Sequence, residues 1–375
     1  MKELGLYIHI PFCKKKCYYC DFISYSGKEN CIKKYVEAIK NEIKYELSRV
    51  LKDKEEYKVT TIYIGGGTPS YIESEYIVDI MKTIRDFISL ENIEITIEVN
   101  PGTVTIEKLE DYKNAGINRL SIGLQETNND LLKSIGRIHT YEEFLNTYKT
   151  AKKVGFKNIN VDLMIGLPNQ SIENIRNSLE KIIVLNPEHI SVYSLILEEG
   201  TRLYDKYENG EIKLPDEELE RNMYWYVKNT LENAGYTHYE ISNFAKKGYE
   251  SKHNLNCWEQ NEYIGFGVAA HSYMNGKRYS NDPKGSDYLG AFEKNIHEVQ
   301  TEDDMQKEYM LLGLRKIEGV SIQKFKNKFG ENPIFLFKNE LNKLVEENLI
   351  KIDGDNIKLT NKGLDLANLV WEEFV

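Results

Sequence analysis

Over the first 200 positions, apolar residues follow two alternating rhythms. Leu4–Ile10 and Val59–Ile64 are short apolar runs, and Ile93–Val99 alternates Ile, Glu, Ile, Thr, Ile, Glu, Val with a period of two. Such segments read as strands, as do Arg119–Leu124, Ile159–Ile165 and His189–Leu197. Between them lie stretches with helical spacing. Cys31–Leu51 places Ile32, Tyr35, Val36, Ile39, Ile43 and Leu47 on one face, and helices follow near Glu75–Ile88, Thr105–Ala115, Tyr141–Val154 and Ile172–Leu185. Six strand–helix units in alternation predict an α/β fold with parallel strands and crossover helices. In a barrel-like array of this kind, the strand C-termini converge on one mouth, where active sites form. The pattern by itself does not separate a closed eight-stranded barrel from a partial six-stranded one.

Beyond Gly200 the alternation weakens. Pro215–Ala234 reads as one long helix and Tyr236–Phe244 as a strand, followed by an irregular stretch to about residue 284 in which Gly265-Phe266-Gly267 reads as a tight turn. From Thr301 the order is helix, short helix, helix. Two short strands then fall within Ile350–Leu359 around the turn Asp353-Gly354-Asp355-Asn356. That order predicts a small winged-helix-like domain and a division into 1–200, 201–300 and 301–375. A winged helix usually reads as a DNA-binding unit. Here eleven basic residues from Met305 onward are matched by eleven acidic ones, so a structural or partner-docking role is expected instead.

Charge narrows the partners. The chain carries a net charge of −10, from 49 basic and 59 acidic side chains, which argues against nucleic acid and anionic membranes as ligands. No apolar run approaches the roughly 18–20 residues of a membrane span, so membrane contact is expected only through a partner. Five cysteines is an odd number and no secretory segment precedes them, which points to a reducing, cytoplasmic setting.

Three of those cysteines carry the chemistry. Cys13, Cys17 and Cys20 form a C-x-x-x-C-x-x-C array directly after the first strand, able to hold three corners of a cubane [4Fe–4S] cluster and leave one iron open. A structural zinc site would need a fourth ligand, for which Cys31 or His9 is available, but no second Cys pair follows. With this spacing the array resembles the radical S-adenosylmethionine (SAM) superfamily, a resemblance that also favours the open, partial (β/α)6 TIM-like barrel with a mixed extension. Polar residues gather at the strand ends: Gly66-Gly67-Thr68-Pro69, Glu98, Gln125, Arg137 and Asp162. A guanidinium suits the carboxylate of a zwitterionic nucleoside, and side-chain carboxylates suit its ammonium and hydroxyl groups.

These residues, with Tyr7-Ile8-His9-Ile10-Pro11-Phe12-Cys13 and Asp162-Leu163-Met164-Ile165-Gly166-Leu167-Pro168, resemble the oxygen-independent coproporphyrinogen III oxidase family over roughly residues 4–275. The resemblance implies that Tyr7, Gly66, Gly67, Thr68, Glu98, Gln125, Arg137 and Asp162 contact SAM. Cys13, Cys17 and Cys20 would then ligate the cluster. Two departures set the branch. Oxidases have a further Cys where Phe22 stands, and a long N-terminal arm where only twelve residues precede Cys13. Both features are similar to the HemW-type haem chaperones, as is His253-Asn254-Leu255-Asn256-Cys257-Trp258, which resembles their H-N-x-x-Y-W haem-binding segment with Cys257 in place of Tyr.

The resemblance implies a haem chaperone that holds cluster, SAM and haem and hands haem to client proteins, with His253 as haem ligand. The alternative is oxidative decarboxylation of coproporphyrinogen III in porphyrin biosynthesis, and no residue is assigned as catalytic. An electron donor for the cluster is implied, and a homodimer is a possible assembly. Lys14-Lys15-Lys16 reads as a solvated loop run, and His271 is left unassigned.

Overall fold

The computed structural model describes residues 1–52, 56–282 and 294–375. The six strand segments become β1 (Lys2–Ile10), β2 (Tyr57–Gly66), β3 (Glu94–Val99), β4 (Arg119–Gln125), β5 (Ile159–Ile165) and β6 (His189–Ser194). They pair in sequence order and all in parallel. The crossovers carry α1 (Ile32–Val50), α2 (Ser74–Arg85), α3 (Ile106–Asn114), α4 (Asn129–Ser134), α5 (Tyr141–Val154) and α6 (Ile172–Leu185). Of these only α4 was not legible, being too short to show a period. Local chemistry sets the ends of α5 and α6. Each opens on a capping box, Thr140 with Glu143 and Ser171 with Asn174, and each closes on a left-handed residue, Gly155 and Asn186.

Each strand buries both faces differently. Leu4, Leu6, Ile8 and Ile10 of β1 are fully buried in one core with Val36, Ile39 and Ile43 of α1. The opposite face is polar, and register carries it around the sheet. Tyr7 lies beside Tyr63, Thr61 beside Glu94, Thr96 beside Arg119, and Ser121 beside Asn160, which lies beside His189. These side chains line the lumen of a partial barrel.

The extension adds α7 (Arg202–Glu208), α8 (Glu217–Asn233), β7 (Thr237–Glu240), β8 (Asn243–Ala245), α9 (Lys252–Trp258), β9 (Glu262–Phe266), β10 (His271–Met274), β11 (Lys277–Asn281) and β12 (Lys294–Val299). The sheet then runs β12-β11-β10-β9-β1-β2-β3-β4-β5-β6-β8-β7. Among the described residues no ladder joins β7 to β12, so the barrel stays open, as expected. Two expectations are corrected. Tyr236–Phe244 is not one strand but the hairpin β7–β8, turned where Ser242 N donates to Glu240 Oε1 (3.1 Å). Gly265-Phe266 is not a turn but the end of β9, which pairs in parallel with β1. Only Gly267, at φ +98°, bends the chain. The irregular stretch therefore holds three ordered strands, β9, β10 and β11, and its last residues lie outside the described ones.

α9, which carries His253, closes the lumen at the end where the strands begin. Glu94 accepts from Lys252 N (3.1 Å) and His253 N (3.0 Å), and Asn256 Nδ2 donates to Thr60 Oγ1 at 3.0 Å. The C-terminal region has its own core around Phe325, Leu341, Leu344, Ile357 and Phe374. It contains α10 (Glu302–Gly313), β13 (Val320–Ser321), α11 (Ile322–Phe329), α12 (Pro333–Leu336), α13 (Lys338–Glu346), β14 (Ile350–Asp353), β15 (Asn356–Leu359), α14 (Asn361–Asp365) and α15 (Ala367–Glu372), with strand order β13-β15-β14. Helices followed by a small antiparallel sheet match the winged-helix-like expectation. Arg315 fastens this region to α9, its guanidinium lying 4.5 Å from the Trp258 ring and 4.8 Å from the Trp371 ring. No described helix is long and apolar enough to cross a membrane.

Candidate cofactor cleft

The parallel strands deliver their C-terminal residues to one mouth, and the cysteine loop lies across it. Backbone hydrogen bonds fix the loop: Cys13 N donates to Tyr25 O (2.9 Å), Gly67 N to Ile10 O (2.9 Å) and Thr68 N to Phe12 O (2.9 Å). The end of β2 is thereby laced to the chain that carries Cys13. A Cβ on Gly67 would stand 3.0 Å from Cys13 Sγ and from the Phe12 backbone, so this approach needs glycine. Gly66 turns at φ +113° and its N–H donates to Glu98 Oε2 at 3.1 Å.

One cleft is lined by Cys13, Cys17, Cys20, Gly66, Gly67 and Thr68 on one side and by Glu98, Gln125, Arg137 and Asp162 on the other. Every residue singled out from the sequence is therefore brought together here except Tyr7 and His253. Tyr7 points into the lumen, its hydroxyl 2.9 Å from His9 Nδ1 and its ring stacked on Tyr63. His253 lies at the opposite end of the barrel on α9, its Nδ1 2.9 Å from Thr61 Oγ1 and its ring stacked on Tyr63 at 5.1 Å. Burial, reinforced by Arg119, pulls its pKa down to about 4, so the imidazole is neutral at pH 7.

Arg137 organises the mouth. Its Nη2 donates to Asn100 Oδ1 (2.9 Å) and to Gly123 O, while Nη1 lies 3.6 Å from Cys17 Sγ. Asn100 in turn donates to Thr68 Oγ1 (2.8 Å), and Thr68 Oγ1 lies 3.4 Å from Cys13 Sγ. Arg137 Nε is buried without a partner among the described residues. Gln125 is held at φ +73°, and its Oε1 accepts from Tyr193 O–H at 2.8 Å. A non-glycine residue with positive φ on a strand end is a common mark of a functional position. Asp162 is held by Asn160 Nδ2 (2.6 Å) and Ser121 Oγ (3.3 Å). Asn100, Ser121, Tyr19 and Tyr193 also line the cleft and were missed in the sequence. Asn100 had a visible signal, directly following β3 in Asn100-Pro101-Gly102.

The donor set fits an iron–sulfur cluster better than a single ion. Among the described residues no three His, Cys, Asp or Glu side chains close around one metal position. The proposed extra zinc ligands do not serve. His9 Nε2 donates to Ile23 O (2.9 Å), which leaves Nδ1 to accept from Tyr7, and Cys31 Sγ faces Asn30 at 3.5 Å. Burial raises the pKa of Cys13, and burial with Cys17 nearby pushes Cys20 up to about 11. Thiols crowded this way ionise together only beside a strong positive centre, which ligated iron supplies.

Glu98 gives the site a pH dependence. Burial, with Asp162 adding to it, pushes its carboxyl up to about 7 against the hydrogen bonds from Tyr63 O–H and Gly66 N. Between the unfolded and folded values the folded protein holds a proton that the unfolded chain has released, so this group's contribution to stability falls as pH rises from about 4.5 to about 7. Urea unfolding of cluster-free protein across that window is expected to show this slope, and Glu98→Gln to flatten it.

Residues 7–182 match the profile of the radical SAM superfamily and residues 300–366 that of the HemN C-terminal domain. The chain is 38% identical over 379 residues to the heme chaperone HemW of Lactococcus lactis, covering 100% of this chain and 98% of that protein. It is 39% identical to the heme chaperone HemW of Bacillus subtilis, covering 98% of each. Among solved structures, the coproporphyrinogen III oxidase HemN of Escherichia coli superposes with a TM-score of 0.84 at 23% identity, covering 100% of this chain and 90% of that one. The last comparison speaks to fold alone.

Proposed function

The chain belongs to the HemW family of the radical SAM superfamily, and from this premise we propose that it is a haem chaperone: it binds a [4Fe–4S] cluster and SAM at the barrel mouth and carries haem for delivery to client proteins. The observation that carries the cofactor part is the single cleft uniting the three cysteines with the Gly66–Thr68 turn, Glu98, Gln125, Arg137 and Asp162. When bound, the cluster with SAM supplies one-electron cleavage of a carbon–sulfur bond. The chain's own residues bind and orient. Cys13, Cys17 and Cys20 would hold iron, Arg137 would meet the carboxylate of SAM, and the exposed backbone of the Gly66–Thr68 turn together with Glu98 would meet its ammonium group. Asp162 and Gln125 would hold the nucleoside. Tyr7 would act from behind, through His9, by fixing the floor of the turn.

The haem segment is the α9 helix, with neutral His253 as the ligand. In the structure its ring is stacked on Tyr63 and its Nδ1 lies against Thr61, so Nε2 is the nitrogen that would meet iron. A division into core 1–200, extension 201–300 and C-terminal domain 301–375 goes with this reading, although β9 to β12 continue the core sheet. We also place the protein in the cytoplasm, with an external electron donor and client proteins as partners.

Anaerobic reconstitution followed by separate additions of SAM and haem tests the proposal. Optical and EPR spectra are expected to change with each addition, and haem is expected to stay with the protein on a desalting column. Failure to retain haem overturns the chaperone reading. Formation of protoporphyrinogen IX from coproporphyrinogen III under reducing, anaerobic conditions would replace it with the decarboxylase reading.

A further inference from the structure

Beneath the cleft the lumen holds a cation with no mate. Arg119 is the inward residue of β4 opposite Thr96 of β3, and it is 2% exposed. Its Nε is buried without a hydrogen-bond partner, as is Thr96 Oγ1, and among the described residues no carboxylate reaches ion-pair distance of its guanidinium. A buried, unpaired guanidinium is costly, and a fold keeps one only where something in the surroundings needs its field. The next inward residue up β4 is Ser121, whose Oγ donates to Asp162. Asp162 is thus held by neutral groups, Ser121, Asn160 and Ser191, and among the described residues no cation is in contact with it.

We propose that Arg119 is a positioning residue for the cleft, the cation deeper in the lumen whose field favours the carboxylate form of Asp162. This rests on reading the cleft as a SAM site. Burial pushes the Asp162 carboxyl up, and it is opposed first by the hydrogen bond from Asn160 and then by the charge of Arg119, the one cationic contribution. The other groups facing this space do not replace it. From β3 come Glu94 and Glu98, both acidic, and from β2 comes Tyr63, a neutral phenol. From β6 comes His189, and from α9 comes His253, both kept neutral by burial and by Arg119 itself. Tyr239 closes the side, bonded to His189 Nε2 at 2.7 Å. Above, Tyr19, Tyr193 and Arg137 face Asp162. Arg137 is already spent on Asn100, Gly123 and Cys17. Unlike Arg137, Arg119 has no hydrogen bond or ion pair of its own among the described residues.

The test is SAM affinity of reconstituted protein measured against pH, for wild type, Arg119→Met, Arg119→Lys and Asp162→Asn. Arg119→Met is expected to move the rise in affinity to higher pH by about one unit, so that binding is about tenfold weaker on the acid side of that rise and matches wild type in alkali. Arg119→Lys should restore most of the wild-type profile. In an Asp162→Asn background Arg119→Met should add no further pH shift. A pH profile for Arg119→Met that superimposes on wild type, whatever its absolute affinity, overturns the inference. If Arg119→Met does not fold, Arg119→Lys alone decides it: a smaller shift in the same direction supports the inference, and a loss of affinity equal at all pH values overturns it. Wild-type protein that binds no SAM at any pH overturns the reading of the cleft and this inference with it.

Discussion

Cys17→Ser is expected to leave a folded protein that cannot be loaded with a cubane cluster. Cys17 is half-buried on the loop, and among the described residues its sulfur makes one hydrogen bond, from Arg137 Nη1 at 3.6 Å. Serine is nearly the same size and can accept that hydrogen bond, so the cluster-free fold should lose no more than about 1 kcal/mol. Loading depends instead on the thiolate, because iron–sulfur clusters are held by soft sulfur ligands and a hydroxyl does not substitute at neutral pH. Iron and sulfide retained after reconstitution should therefore fall by an order of magnitude or more, and SAM should produce no spectral change. Cys13→Ser and Cys20→Ser should behave alike. Cys31→Ser and Cys257→Ser are the matched comparisons, since neither sulfur lines the cleft, and both should load normally. Equal loss of iron in Cys31→Ser would show that the ligand set is wrong.

How much of this was legible in the sequence depends on which face of a strand is considered. The outward faces were plain, because Leu4, Leu6, Ile8 and Ile10 announce burial by composition alone. The lumen was not. Glu94, Thr96 and Glu98 alternate with isoleucines, a pattern that in an antiparallel sheet would mean one face in solvent. In a parallel barrel the same alternation means a polar interior, which is why Glu98 sits buried at a pKa near 7 instead of free in water. Arg119 and Ser121 follow the same alternation on β4 and were invisible for the same reason.

Motif residues at strand C-termini fared better, since parallel topology sends them all to one mouth. His253 could not be placed by that rule. It lies on a short helix between sheet strands, and only the three-dimensional closure of the lumen shows that it faces the cleft's far side, linked to Glu98 through the shared ring of Tyr63. The strand β9 was lost because Gly265 interrupts its apolar run. That glycine is a packing requirement, as a Cβ there would meet His271 O at 2.2 Å.

Gly66→Ala is expected to be the most damaging single-methyl change at the mouth. At φ +113° an L-residue is strained by about 1–3 kcal/mol before any contact is counted. The added Cβ would also lie 2.5 Å from His9 Cε1 and Nδ1. That ring cannot step aside cheaply, because Ile23 O holds one nitrogen and Tyr7 O–H the other. Relief must then come from the turn, which moves Gly66 N off Glu98 and Gly67 off Cys13. Strain and overpacking together put the stability loss at about 3–5 kcal/mol, read from urea unfolding of cluster-free protein. The displaced turn should also weaken SAM binding at least tenfold in whatever protein folds and loads. Gly27→Ala separates the two causes. Gly27 has φ +71° with nothing within 4 Å of an added Cβ, so it carries the backbone strain without the clash and should cost only about 1 kcal/mol. If the two variants lose equal stability, the packing of the turn against His9 is not what fixes the SAM-facing backbone, and the site would have to be held open by the cysteine loop instead.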